Sequence, residues 1–217
     1  MSGQRTVRRV IVASLIGTSL EWYDFFLYGL AAALIFKSIF FPSFNPVAGT
    51  LMSLATYAVG FVARPVGGAI FGHFGDTVGR KNVLIFTLML MGISTFAIGL
   101  LPSYGTIGIA APILLVVLRF AQGLGLGGEW GGAVLMAIEH AGARRGLAAS
   151  WPQVGAPVGN LLAAGVLGAL SWVLPRDEFL RWGWRIPFLL SAGLVVVGFW
   201  IRRSLEESPL FLEVTRE

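Results

Sequence analysis

Gly72-His73-Phe74-Gly75-Asp76-Thr77-Val78-Gly79-Arg80-Lys81 separates two hydrophobic runs, at 47–71 and 82–101. Each run is long enough to cross a bilayer, which takes about 20 predominantly apolar residues. The block between them is short, charged and rich in glycine, so it reads as a tight turn joining two adjacent antiparallel membrane helices. Four further runs, at 10–36, 110–138, 147–174 and 186–201, bring the total to six. Charged residues make up 12% of the chain and hydrophobic residues 56%; a soluble domain carries about 25% charged residues. The expected class is an all-α integral membrane protein.

The net charge of +5 raises the question of nucleic acid, but the basic residues do not gather into one patch. They sort by side. With the N-terminus taken as cytoplasmic, the inner segments hold Arg5, Arg8, Arg9, Arg80, Lys81, Arg144, Arg145, Arg202, Arg203 and Arg216. The outer segments hold Lys37, Arg176, Arg181 and Arg185, while Arg64 and Arg119 stay inside the spans. An excess of Lys and Arg in short loops marks the cytoplasmic side, so both ends of the chain are expected there. No nucleic-acid partner is expected; the partner is the lipid bilayer.

The chain has no cysteine and two histidines, His73 and His140, so neither a disulfide nor a protein-ligated metal is expected. The basic start and apolar stretch suit a signal peptide, yet no small-residue cleavage site follows Leu20, and an uncleaved first helix is expected. Gly123, Gly125 and Gly128 match G-x-G-x-x-G, but no strand precedes them and the segment is a membrane helix. Small residues four apart instead let helix backbones approach, as at Gly68/Gly72, Gly123/Gly127, Gly127/Gly131, Gly128/Gly132 and Gly155/Gly159. Gly17–Trp22 in the first run echoes Gly125–Trp130 in the fourth, the mark of two three-helix repeats of inverted topology.

Five charges stand inside the spans: Glu21, Asp24, Arg64, Arg119 and Glu129. A charge at mid-bilayer costs about 2.5–3.5 kcal/mol on insertion scales, so each calls for a partner or a function. Helical rise puts Asp24 about 18 Å and Arg119 about 14 Å from the outer ends of their runs, close enough in depth to meet. Arg64 and Glu129 come out at about 26 and about 28 Å and form a second candidate pair. Glu21 lies one turn from Asp24, and Gln122 one turn from Arg119. Burial favours the neutral form of a carboxyl, and a nearby guanidinium favours its charged form. Protonation of Asp24 or Glu21 would therefore loosen a pair with Arg119 and release the arginine for an anionic substrate. Guanidinium suits that exchange because its planar fork grips carboxylates and never loses its charge. Trp22, Tyr23, Tyr28 and Trp130 are candidates for lining a cavity or for packing.

The form G-x-x-x-D-x-x-G-R-K, at Gly72, Asp76, Gly79, Arg80 and Lys81, closely resembles the loop joining the second and third helices of major facilitator transporters. Gly17-Thr18-Ser19-Leu20-Glu21-Trp22-Tyr23-Asp24-Phe25-Phe26-Leu27-Tyr28-Gly29 resembles the first-helix signature of one of their families, the metabolite:proton symporters. Gly60-Phe61-Val62-Ala63-Arg64-Pro65, Arg119-Phe120-Ala121-Gln122-Gly123 and Gly127-Gly128-Glu129-Trp130-Gly131-Gly132 are similar to the second and fourth helices. Trp182-Gly183-Trp184-Arg185-Ile186-Pro187-Phe188 and Glu206-Glu207-Ser208-Pro209 bracket the sixth as the family does, and Leu101–Gly108 leans toward the shikimate-permease-like branch.

That resemblance implies proton-driven uptake of a small organic acid or zwitterion across a bacterial inner membrane, by alternating access, with no enzyme activity and no cofactor beyond the proton. It assigns Arg80 to Glu139 as a gating pair and points Asp76 at a helix of a second half. Thr77 departs from the usual basic residue. Members have twelve helices in two halves, so the six here, over 1–203, imply an N-terminal half, with 204–217 opening a cytoplasmic central loop. A partner is then expected: a C-terminal six-helix half or, alternatively, a second copy in a half-size dimeric carrier. A membrane enzyme or signalling protein is the remote alternative, since no Gly-x-Gly-Asp pair or His-Glu-x-x-His site is present.

Overall fold

The computed structural model describes the backbone of residues 2–140 and 145–203. Side chains at 2–11, 13, 14, 80, 129–140, 145, 147–149, 152, 194, 201 and 202 fall outside the described set, as do residues 1, 141–144 and 204–217. Among the described residues there are six long helices and no strands: α1 (Ser2–Leu34), α2 (Pro46–Val78), α3 (Arg80–Leu100), α4 (Ala110–His140), α5 (Arg145–Val173) and α6 (Arg185–Arg203). Four stretches are long and apolar enough to cross a membrane: Pro46–Val78, Lys81–Leu100, Ala110–Gly128 and Gln153–Val173. The bent pair Arg176–Gly183 and Arg185–Trp200 makes a fifth. α1 is as long as α2 and carries Glu21 and Asp24 near its middle.

The helices pack as two repeats, α1–α3 and α4–α6. The two most extensive contacts are α1 with α5 and α2 with α4, and each maps onto the other when the repeats are exchanged; α3 packs on its own counterpart, α6. Small residues make both large contacts possible. A side-chain carbon on Gly123 would lie 2.5 Å from the Gly60 carbonyl oxygen of α2, and one on Gly159 would lie 2.6 Å from that of Ser19 on α1. Glycine backbones therefore touch where any other residue would hold the helices apart. Gly72 is different, since nothing lies within 4 Å of the position its side chain would take.

The connection between α2 and α3 is shorter than the sequence suggests. α2 continues through Gly72 and Asp76 to Val78, and α3 begins at Arg80, so Gly79 alone reverses the chain. Its φ of 105° lies in the region that only glycine enters without strain. Thr77 turns its hydroxyl back on the His73 and Phe74 carbonyls, at 3.1 and 3.3 Å. At the opposite end, Asn45 caps α2 by accepting the Ala48 N–H at 2.8 Å, with Pro46 in the first turn. The short helix Phe36–Phe40, the helix Tyr104–Ile107 and the π-helical turn Phe179–Gly183 sit in the connections at that end.

An aromatic plug closes the same end. Phe36 and Phe40 meet the fully buried Trp184 edge-on, with ring centres 5.8 and 6.0 Å away. The Tyr23 hydroxyl donates to the Pro187 carbonyl at 2.9 Å, and Arg185 donates to the Gly99 carbonyl at 2.8 Å while lying over Trp184. These contacts give the Trp-Gly-Trp-Arg-Ile-Pro segment its structural task of tying α6 to α1 and α3. They also hold the depth at which α1 presents its carboxyls.

Candidate functional site

Below the plug, α1, α3 and α4 bring polar side chains together in an otherwise apolar interior. Asp24 and Glu21 face inward from α1, Thr95 from α3, and Arg119 and Gln122 from α4, each no more than 3% exposed. Three hydrogen bonds link four of them. Arg119 Nη1 donates to Gln122 Oε1 at 2.5 Å, Gln122 Nε2 donates to Thr95 Oγ1 at 2.7 Å, and Thr95 Oγ1 donates to Asp24 Oδ2 at 3.0 Å. The cation and the carboxylate thus sit at opposite ends of a relay rather than in a direct pair. Asp24 Oδ1 and Arg119 Nε and Nη2 have no hydrogen-bond partner.

The meeting of Asp24 and Arg119 expected from their depths therefore takes an indirect form. Gln122, one turn from Arg119, accepts from it and points its other end at Thr95. Because an arginine can only donate, the oxygen of Gln122 must face Arg119 and its nitrogen must face Thr95. Thr95 was not evident from sequence. Its hydroxyl also lies 2.9 Å from the Met91 carbonyl, the ordinary self-satisfied state of a threonine in a helix.

Aromatic rings enclose the guanidinium. Arg119 Cζ lies 4.2 Å from the Tyr28 ring centre, 4.8 Å from Tyr57 and 5.1 Å from Phe25. Arg64, on α2, stands 4.2 Å from the same Phe25 ring and 4.9 Å from Phe61. Phe25 is therefore shared by two cations, and the negative face of a ring offsets part of the charge burial of a cation lying over it. Tyr28 is held in place by its hydroxyl, which donates to Thr56 Oγ1 at 2.7 Å. Gly60 supplies the space for Arg119 on the α2 side: an added side-chain carbon there would fall 2.5 Å from Nε and 2.8 Å from Cζ. Of the cavity-lining candidates, Tyr28 does touch the cation, Trp22 stacks on Phe26 and reaches Arg64 at 5.9 Å, and Tyr23 serves the aromatic plug. Phe25, Tyr57 and Gly60 had no role in the sequence reading.

The remaining candidates divide by position. Glu21 lies within Coulombic range of Arg64 and is 1% exposed. The side chains of Glu129 and Trp130 lie outside the described residues, and with them the Arg64–Glu129 pairing. The same holds for Arg80 and Glu139 and the gating pair they were expected to form. Asp76 is exposed on the last turns of α2, and Gly72 lies one turn before it, so neither belongs to a loop. Lys81 opens α3 beside the reversal at Gly79. Among the described residues no group of acidic or histidine side chains is arranged to hold a metal ion.

A sequence family described as "Sugar (and other) transporter" matches residues 9–217. The chain is 57% identical over 209 residues to the inner membrane metabolite transport protein YhjE of Escherichia coli (strain K12), covering 96% of this chain and 48% of that protein. It is 51% identical over 205 residues to the shikimate transporter of the same organism, covering 94% and 47%. A proline/betaine transporter of Salmonella typhimurium is 44% identical over 206 residues, covering 94% and 41%. In structure, the chain resembles the E. coli xylose transporter XylE in a partially occluded inward open conformation, with a TM-score of 0.85 at 18% identity, covering 97% of this chain and 52% of that one. This chain thus spans about half the length of the relatives it matches.

Proposed function

The chain belongs to the sugar (and other) transporter family, within the major facilitator superfamily, and we propose that it forms the proton-handling half of a symporter for a small organic acid or zwitterion. This is a transporter family, not an enzyme family. The observation that carries the proposal is the buried relay from Asp24 to Arg119, with a carboxylate oxygen and one edge of the guanidinium left unpartnered. Nε and Nη2 together form the side-on fork that binds a carboxylate through two parallel hydrogen bonds. Asp24, in turn, is a carboxyl withdrawn from water at the heart of the bundle. A proton arriving at Asp24 removes the negative end of the relay. Arg119 is then left as an unbalanced buried cation, for which an incoming carboxylate is the natural partner.

The acid-bearing substrate of one relative, shikimate, and the zwitterions of another, proline and betaine, all offer the carboxylate that such a fork recognises. A bacterial inner membrane, with both ends of this chain on the cytoplasmic side, is the matching location. The second six-helix half supplies the opposing wall of the substrate cavity. Uptake of labelled organic acids by the transporter carrying this chain, measured in proteoliposomes with and without an imposed pH gradient, tests the reading. Asp24→Asn, neutral at every pH, is expected to abolish accumulation driven by the gradient. Full gradient-driven uptake by that variant would remove Asp24 from the coupling step.

A further inference from the structure

We infer that Thr95 is the positioning residue that links the charge state of Asp24 to the guanidinium of Arg119, by moving its single hydroxyl proton between two acceptors. The inference rests on the proton-coupling reading above and names a residue that reading does not need. Thr95 Oγ1 sits where three groups converge: Asp24 Oδ2 at 3.0 Å, Gln122 Nε2 at 2.7 Å and the Met91 carbonyl at 2.9 Å. Its side chain is fully buried, so no water replaces any of the three.

A hydroxyl has one proton to give and two lone pairs to accept with. Arg119 fixes the orientation of Gln122, and Gln122 always donates to Thr95. That leaves one proton and one lone pair on Thr95 to be shared between Asp24 and Met91. When Asp24 is ionised, Thr95 donates to it, and the chain reads guanidinium, amide, hydroxyl, carboxylate, with every donor aimed toward the negative charge. When Asp24 carries a proton, the carboxyl becomes the donor and Thr95 accepts with its second lone pair. The threonine proton then turns to the Met91 carbonyl. The Thr95 proton has an acceptor in either state, and Thr95 keeps that proton throughout. The transported proton enters and leaves on Asp24 alone. A valine at this position fills the same volume but can take neither state, while a serine can take both.

The charged and titratable groups around Asp24 are few. Among the described residues α1 itself brings Glu21, Tyr23 and Tyr28; α4 brings Arg119; beyond Arg119, α2 brings Arg64 and Tyr57. On α3 the described side chain facing Asp24 is the uncharged Thr95. None of these is altered by a change at Thr95, so a shift in pH dependence reports the hydroxyl.

The test compares Thr95→Val and Thr95→Ser with the unaltered transporter, reading initial uptake rate and KM against pH in proteoliposomes. Removing a donor from the ionised carboxylate disfavours that form, so the alkaline fall of uptake in Thr95→Val should move upward by about one pH unit, the size of one hydrogen bond to a charged group. KM at acid pH, where Asp24 is already protonated, should be unchanged, and Thr95→Ser should restore the original profile. A Thr95→Val profile that coincides with the unaltered one overturns the inference, as does a Thr95→Ser profile displaced as far as that of Thr95→Val. Should the valine variant fail to reach the membrane, Thr95→Ala, smaller and equally without a hydroxyl, is read by the same criteria. Asp24→Asn runs in parallel: if it still accumulates substrate, the coupling reading has failed, whereas a dead Asp24→Asn beside an unshifted Thr95→Val isolates the failure to Thr95.

Discussion

Arg119 shows how one residue can be buried without an ion pair and still be tolerated. One amino group is taken up by Gln122, the rings of Tyr28, Tyr57 and Phe25 surround the guanidinium, and the glycine at position 60 leaves room for it against α2. Gly60→Ala is expected to force a methyl group into that space, because the added carbon would stand 2.5 Å from Nε. Overpacking of this kind costs about 1–3 kcal/mol, and here it falls on the group proposed to meet the substrate. Thermal unfolding of the purified variant should fall modestly, while KM for an anionic substrate should rise sharply; an unchanged KM would show that Arg119 is not pressed by position 60. At this scale Asp24, Arg119 and Gln122 were legible in the sequence because a charge in an apolar run has a cost that demands explanation. Thr95 was not. Threonine and serine in a span can satisfy themselves on a carbonyl of the preceding turn, as Thr87 does on Val83 and Ser94 on Leu90. Nothing in the sequence separates Thr95 from those two; only the arrival of Asp24 and Gln122 from other helices does. Phe25 and Tyr57 were equally silent, since aromatic residues inside a membrane helix carry no cost.

The elements were legible by their apolar length and illegible at their ends. A count of apolar residues measures only the part of a helix inside hydrocarbon, whereas α2 runs on through the polar block 72–78 with its backbone bonding intact. Water at that end tolerates His73, Asp76 and Thr77 on a helix as readily as in a loop, so only Gly79, by its positive φ, marks the true break. The contacts between elements were easier to foresee, since glycines four apart announced them. Yet the glycines are not equivalent. Gly159→Ala would set a carbon 2.6 Å from backbone atoms of α1, and Gly123→Ala one 2.5 Å from the backbone of α2. Each is expected to lower stability by about 1–3 kcal/mol, and by similar amounts because the two interfaces are counterparts. Gly165→Ala, with nothing within 4 Å, should instead be neutral or gain up to about 1 kcal/mol of helix propensity. Thermal unfolding of the three purified variants in detergent measures the contrast, and equal losses at all three would deny that close backbone approach sets the α1–α5 and α2–α4 packing.

On the scale of the molecule, the decisive question is which end of the bundle faces the cytoplasm. Nothing in the packing of the helices says which end faces the cytoplasm, so charge must decide. The reversal at Gly79 lies at one end of α2 and the segment around Ser43 at the other, separated by 33 residues or about 50 Å of helix. Basic residues gather on the Gly79 side, with Arg80 and Lys81 beside it, while the Ser43 side holds Lys37, Arg176, Arg181 and Arg185. Short loops with more Lys and Arg stay in the cytoplasm, so Gly79 should be inside and Ser43 outside. The absence of cysteine from the chain makes this unusually simple to test. Ser43 and Thr77 are both exposed, and a single cysteine at either would be the one thiol this chain offers. In intact cells making the transporter that carries this chain, a membrane-impermeant maleimide should label Ser43→Cys. Thr77→Cys should be labelled only after the membrane is opened. The outcome also decides which side of Asp24, the proposed proton site, is closed, because the aromatic plug of Phe36, Phe40 and Trp184 lies between Asp24 and the Ser43 end. If Ser43 is outside, the plug lies between Asp24 and the external side, and the proposed proton site is closed to that side in this conformation. If the labelling pattern is reversed, the plug lies on the cytoplasmic side of Asp24 instead, while the direction of a symport stays the same, because a symporter moves its substrate with the proton down one gradient whichever face points outward.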